Sequence, residues 1–219
     1  MTDTKIAPVS KIEPVPPTFN DRSEWEGFQG AVIRAFDQGL LPDTIQNPKQ
    51  AIVLASKGRE LGLEPLYALS VLYLVHGKPA LEGEAMLGLT LRRYPEAKIQ
   101  WVEQSHAKAV LKMGRPGGEM STFEFTVEDA KRAGILSKIN DDGTVVPNGK
   151  KQVWAQYTKD MLMWRAVARA VRFLFPECIQ GCLTPDEAEW IPRDSVEKVV
   201  RQVGGKAAEL AAELAASKQ

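Results

Sequence analysis

Three arginines, Arg165, Arg169 and Arg172, follow one another at intervals of four and three residues. On a helix turning about 100° per residue they fall within about 60° of one another, with Trp154 and Met161 near the same line. A guanidinium stays charged at every accessible pH and presents a planar fork of donors that matches phosphate or carboxylate oxygens. A row of them on one helix therefore needs anionic partners or a wet groove. Trp154, Tyr157 and Lys159 stand just upstream, and flat aromatic faces beside a cationic track suit single-stranded bases and their backbone together. The acids just downstream offer a different explanation, in which they pair with the arginines and close a network inside the fold. Spacing leaves both open.

The charges are segregated. From Lys150 to Pro176, six cations (Lys150, Lys151, Lys159, Arg165, Arg169 and Arg172) face the single Asp160, a net of +5. From Glu177 to Glu197, six acids (Glu177, Asp186, Glu187, Glu189, Asp194 and Glu197) face Arg193, a net of −5. Over all 219 residues, 28 cations balance 28 acids. The chain is therefore no basic coat, but a dipolar arrangement binds a polyanion at one end while the total cancels.

Other chemistries find little footing. Gly77-Lys78, Gly149-Lys150 and Gly205-Lys206 all lack the hydroxyl residue of a phosphate loop, no dinucleotide-binding glycine pattern follows a strand, and no Gly-x-Ser-x-Gly elbow occurs. ATP-driven strand exchange is accordingly not expected. Cys178 and Cys182 have only the distant His76 and His106 as possible co-ligands, so they read as small buried residues, and His76 beside Gly77 reads as a turn residue. Asp141-Asp142 and Glu82 with Glu84 read as solvated turns or helix ends. Two cysteines make no disulfide framework, no apolar run reaches the ~20 residues of a membrane span, and the N-terminus lacks a secretion signal. The expected location is the cytoplasm, without membrane contact.

The elements that must carry these residues are legible in outline. A first helix starts at Asp21 and places Trp25, Phe28, Val32 and Phe36 on one face before Gly39. A second starts at Asn47-Pro48, with Gln50 completing a capping-box-like pair, and ends at Gly62. Val71 to Val75 is a β-favouring run closed by a turn at Gly77-Lys78-Pro79, and a helix follows over Glu84 to Arg93. Alternation around Ile99 and Trp101, then Ala109, Leu111 and Met113, then Ser121, Phe123 and Phe125, predicts three antiparallel strands. Gly114 to Gly118 forms a hairpin loop whose basic tip, Arg115, is placed to reach a partner. Thr126 caps a short helix that stops at Gly134, and Asn140 to Gly149 is a turn-rich connector. The arginine row belongs to a single long helix from Val153 to Phe175, ended by Pro176 and apolar around most of its circumference, hence largely buried. Thr184-Pro185-Asp186-Glu187 opens another short helix.

These motifs, taken in order, resemble the RecT family of phage single-strand annealing proteins. The likeness runs from Arg59-Glu60-Leu61-Gly62-Leu63-Glu64-Pro65 through Ala68-Leu69, Leu72-Tyr73-Leu74-Val75, Gly77-Lys78-Pro79-Ala80-Leu81 and Met86-Leu87. It continues with Phe125-Thr126 and Asp129 to Gly134, with Tyr157-x-Lys159-x-Met161-Leu162-x-x-Arg165-Ala166, Arg172 and Pro176, and with Leu183-Thr184-Pro185-x-Glu187. It spans roughly residues 23 to 189.

The resemblance implies an ATP-independent recombinase of a bacterial host, phage or prophage encoded. Such a protein coats single-stranded DNA, pairs it with a complementary strand and assembles into rings or filaments. A partner exonuclease or a host single-strand-binding protein comes into view as a further partner. Lys159, Arg165 and Arg172 match basic positions of the family's hallmark helix and are the leading DNA-binding candidates. Arg169, Lys78, Arg92, Arg93, Trp154 and Tyr157 complete the set, with Lys108, Lys112 and Arg115 as weaker additions. No catalytic residue, cofactor or metal is expected. A DNA-binding module without annealing activity and a metal-dependent nuclease are the alternative readings. The expected architecture is an α+β domain over residues 21–194, a small antiparallel sheet packed against several helices including the long basic-striped one. It is flanked by a disordered proline-rich segment over 1–20 and a helix-prone, alanine-rich tail over 195–219.

Overall fold

The computed structural model describes residues 22–149 and 152–189; the expectations for the N-terminal segment, for the Asp21 cap and for the tail lie outside them. The chain opens with α1 (Arg22–Asp37), α2 (Pro48–Glu60) and α3 (Pro65–Val71), followed by the hairpin β1 (Leu72–Val75) and β2 (Lys78–Leu81). Next come α4 (Gly83–Arg93) and the strands β3 (Lys98–Gln104), β4 (Lys108–Gly114) and β5 (Ser121–Thr126). Then follow α5 (Val127–Arg132), β6 (Leu136–Ile139), β7 (Val145–Pro147), α6 (Val153–Gln156), α7 (Thr158–Leu174), α8 (Pro176–Ile179) and α9 (Pro185–Glu189). This is an α+β fold.

The site is positioned by one sheet and one helix. Strands β3, β4 and β5 lie in sequence order, all antiparallel, with Trp101 opposite Leu111 and Leu111 opposite Phe123. Their alternation buries Ala109, Leu111, Met113, Phe123 and Phe125, and α7 packs on β4 and β5 with α4 at its side. Leu162, Ala166, Val167, Ala170 and Val171 supply the buried face of α7. Burying a Leu, Val or Phe side chain contributes roughly 1.5–3 kcal/mol, so these residues hold helix and sheet firmly together.

Local chemistry sets the element ends. Asn47 Oδ1 accepts the Gln50 N–H at 3.0 Å and Pro48 occupies the first turn of α2. Gln50 Oε1 in turn accepts from the Gln46 N–H, one residue before the cap. At α5, Thr126 and Asp129 form a complete capping box. The β1–β2 turn is made by His76 and Gly77, both at positive φ.

The structure departs from the sequence reading at several joints. Val71 closes α3 rather than opening a strand, because Ala68 and Leu69 pack that turn into the core against α2. The β1–β2 hairpin is a separate two-stranded sheet, and the Asn140–Gly149 connector holds half of a third sheet, the β6–β7 hairpin. Its turn is fixed by Asp142 Oδ1, which accepts from both the backbone N–H and the hydroxyl of Thr144. The long helix is broken at Tyr157, whose backbone (φ −127°, ψ 42°) leaves the helical region. Pro176 does not simply stop a helix; it starts α8 at a first-turn position, where its missing N–H costs nothing.

Two glycines of α4 have opposite meanings. A Cβ on Gly83 would overlap the Trp164 carbonyl oxygen on α7, whereas one on Gly88 meets nothing within 4 Å. Gly83→Ala is expected to destabilise the protein by about 1–3 kcal/mol through overpacking, and Gly88→Ala to stabilise it by up to about 1 kcal/mol through helix propensity. Urea denaturation of both variants measures the contrast, and equal effects would refute the close α4–α7 approach.

Candidate functional site

Helix α7 carries all three arginines toward one side of β5, and each makes its main hydrogen bonds to a different residue. Arg172 donates to both carboxylate oxygens of Glu187, Nη1 to Oε1 at 2.8 Å and Nη2 to Oε2 at 2.5 Å. Arg165 donates from Nη1 to the Thr184 hydroxyl and lies 3.7 Å from Glu187 through Nη2. Arg169 donates to the Glu124 carbonyl at 2.6 Å and sits 3.8 Å from Asp129. The guanidinium carbons of Arg165 and Arg169 also lie 5.1 and 5.0 Å from the centre of the Phe125 ring, within cation–π range. Beside them opens a cavity of about 350 Å³ lined by Phe125, Arg165, Arg169, Arg172, Phe173 and Glu187.

The electrostatics follow from burial and pairing. The Arg165 side chain is only 10% exposed. Burial lowers its pKa, and Glu187 works in the other direction. The Arg172 guanidinium is raised by its hydrogen bonds to Glu187. Burial works to raise Glu187, but the Arg172 hydrogen bonds, the Arg165 charge and the Thr184 N–H outweigh it and hold the carboxyl at about 2. Two of the three arginines are thus paired with the downstream acidic run, the internal-network explanation, and an open trough nevertheless lies beside them.

The remaining candidates separate. Trp154 is 1% exposed and belongs to the core, so its ring is not offered to a base. Tyr157 is exposed, but it lines a different cavity of about 420 Å³ with Met161 and Trp164, where Glu82, Glu84, Asp160 and Asp186 supply carboxylates. Among the described residues, Arg165 is the one cation on that lining. The break at Tyr157 is the physical reason for the separation: helical angles extrapolated from Arg165 do not carry across it. Lys159 is half-buried in the first turn of α7 and lines neither cavity. Lys78 is exposed on a separate groove with Trp25, Ile52 and Lys57.

Arg92 is spent on structure, donating to the Leu61 and Gly62 carbonyls at 3.1 and 2.6 Å after the end of α2. Arg93 reaches the Glu177 carbonyl at 3.4 Å. Arg115, expected to project from its loop, is fastened down. It holds Glu177 at 2.7 and 2.9 Å and the Leu174 carbonyl at 2.7 Å, and Tyr94 donates to the same carboxylate. Lys108 pairs with Glu103 at 2.9 Å.

One residue of the trough was missed. Phe173 is 73% exposed, its ring tilted against Phe123 at 5.8 Å. Its place four residues after Arg169 put it about 40° from that arginine on the helix, a signal hidden by assigning it to the buried surface. Cys178 and Cys182 are buried thiols raised by burial. Among the described residues, no three His, Cys, Asp or Glu side chains gather in a way that holds a metal ion, and no helix is long and apolar enough to cross a membrane. No family model, curated protein or solved structure matches this chain.

Because the Glu187 pKa is depressed from 4.5 to about 2, the stability it contributes is complete above about pH 4.5 and fades as pH falls toward 2. Glu187→Gln leaves the Arg172 fork without its anion, and the expected loss at neutral pH is about 1–3 kcal/mol. Denaturant titrations stepped between pH 6 and pH 2 are expected to show a shallower acid dependence in the variant than in the parent. Parallel profiles would show that Glu187 is not the group responsible.

Proposed function

We propose that this chain binds single-stranded DNA and anneals complementary strands without ATP, acting as an assembly of many copies, as the RecT resemblance implies. The observation that supports this most directly is the trough on α7, where three fixed guanidiniums and an exposed phenylalanine ring share one concave surface. Annealing requires no covalent step. Two phosphate backbones repel, so one strand must be neutralised while its bases stay available to a second. Arginines on a rigid helix neutralise, and Phe173 offers a face on which a base stacks whatever its identity.

The site residues are redistributed by this reading. Arg169, with its side chain about half exposed, and Phe173 become the leading contacts, with the Arg172 edge beside them. Lys159 and Lys78 remain separate cationic points along a longer path. Trp154, Arg92 and Arg93 act as structure. Equal numbers of cations and acids let copies pack along one strand without mutual repulsion. Cytoplasmic location in a bacterial host and association with an exonuclease or single-strand-binding protein belong to the same proposal.

The decisive experiment mixes labelled complementary oligonucleotides with the protein in the absence of nucleotide triphosphates and follows duplex formation. Arg169→Ala and Phe173→Ala, both surface changes, are each expected to slow annealing about tenfold while circular dichroism stays unchanged. Affinity for a single strand should fall with salt at a log–log slope of about −0.7 per phosphate contact. Binding without acceleration would favour a DNA-binding module lacking annealing activity. Chelator-sensitive shortening of the oligonucleotides would favour a nuclease.

A further inference from the structure

Glu187 is held in the way an arginine pair holds a phosphodiester. A carboxylate and a phosphodiester each present two oxygens and one negative charge, and the guanidinium fork fits both. Here Arg172 grips both oxygens at 2.8 and 2.5 Å while Arg165 stands 3.7 Å away. The carboxylate also lines the trough, so an entering phosphate meets a like charge on the very groups that would bind it.

The segment that carries Glu187 is joined to the arginines themselves. Its described part includes α9 (Pro185–Glu189), which packs on the β1–β2 hairpin. The Thr184 N–H donates to Glu187 Oε2 at 3.1 Å, Arg165 donates to the Thr184 hydroxyl, and the Leu81 N–H donates to the Leu183 carbonyl at 2.7 Å. Within the described part of α9, Ala188 is buried. Two ties run through the arginines, Arg165 to the Thr184 hydroxyl and Arg172 to the Glu187 carboxylate, so an anion that takes the arginines also loosens the segment.

We propose that Glu187 is an internal stand-in for a phosphate: the Arg165–Arg172 fork is a second phosphodiester site, held shut by α9 and opened when a DNA strand exchanges its anion for the carboxylate. This rests on the DNA-binding reading above. Arg169 and Phe173 receive the strand first, and displacement of α9 then adds two charges to the grip. In the closed state the arginines are neutralised inside the chain, which keeps a strongly cationic surface covered until a strand is present.

Fluorescence anisotropy of a labelled oligothymidylate with the full chain tests the exchange. Glu187→Gln should bind about three- to tenfold more tightly than the parent at moderate salt. Its log–log salt slope should stay close to the parent's, because both proteins contact the same phosphates once the strand is bound. Adding Arg172→Gln to that variant should abolish the gain. Hydrogen exchange on the unmodified protein supplies a second reading that does not depend on the variant folding: the amides of Thr184 and of residues 186–189 should lose protection when the oligonucleotide binds, while those of β4 keep theirs. If the parent binds DNA but Glu187→Gln binds no tighter and the amides of Thr184 and residues 186–189 stay protected, the exchange is wrong and the DNA-binding reading survives. If neither protein binds the oligonucleotide, both fall.

Discussion

A helix packed against a sheet cannot carry three permanent charges unless each is given an oxygen or kept in water. That constraint organises this molecule around α7. Its buried face, from Leu162 to Val171, is what holds the β3–β4–β5 sheet to the rest of the chain, and its opposite edge holds three guanidiniums that the interior could not tolerate unpaired. The chain supplies their partners from three directions: a strand carbonyl at Glu124, a hydroxyl at Thr184 and a carboxylate at Glu187. Removing Glu187 disturbs more than one ion pair, because the same oxygen that receives Arg172 also receives the Thr184 N–H.

The break at Tyr157 has an equally wide effect. An unbroken helix would lay Trp154 along the arginine edge. The break instead turns α6 so that Trp154 enters the core, while Tyr157 faces a cavity bordered by carboxylates. Two concave surfaces of opposite character result, one guanidinium-lined and one carboxylate-lined, and Arg165 is common to both walls. Its low exposure follows from that position between them, and so does the burial that depresses its pKa.

Much of this was legible in the sequence because it is periodic. The three strands follow from alternation around Trp101, Leu111 and Phe123, and the helix starts at Asn47 and Thr126 follow from cap chemistry that acts within four residues. The arginine row was legible for the same reason, since three- and four-residue spacing is a local property. What escaped is non-local. Nothing in the spacing of Arg115 says that its loop folds back on Glu177, sixty-two residues later. Nothing in Arg92 says that its donors are taken by the carbonyls of Leu61 and Gly62. The helix break escaped because Gln156-Tyr157-Thr158 contains neither glycine nor proline, so propensity carries no warning of it.

The same distinction explains why charge counting left the acidic run open. Segregation of +5 and −5 along the chain allowed a polyanion at one end or an internal network between the two stretches. In the fold, Glu187 reaches back across that division to Arg172, and Glu177 reaches beyond it to Arg115. Coulomb attraction between stretches separated by a short turn favours intramolecular pairing, since its effective concentration far exceeds that of any partner in solution. An external anion at Arg172 therefore has to compete with a carboxylate already in place, whereas at Arg169 the hydrogen-bonded partner is a neutral carbonyl and the nearest carboxylate, Asp129, stands 3.8 Å away beside the exposed face of Phe173.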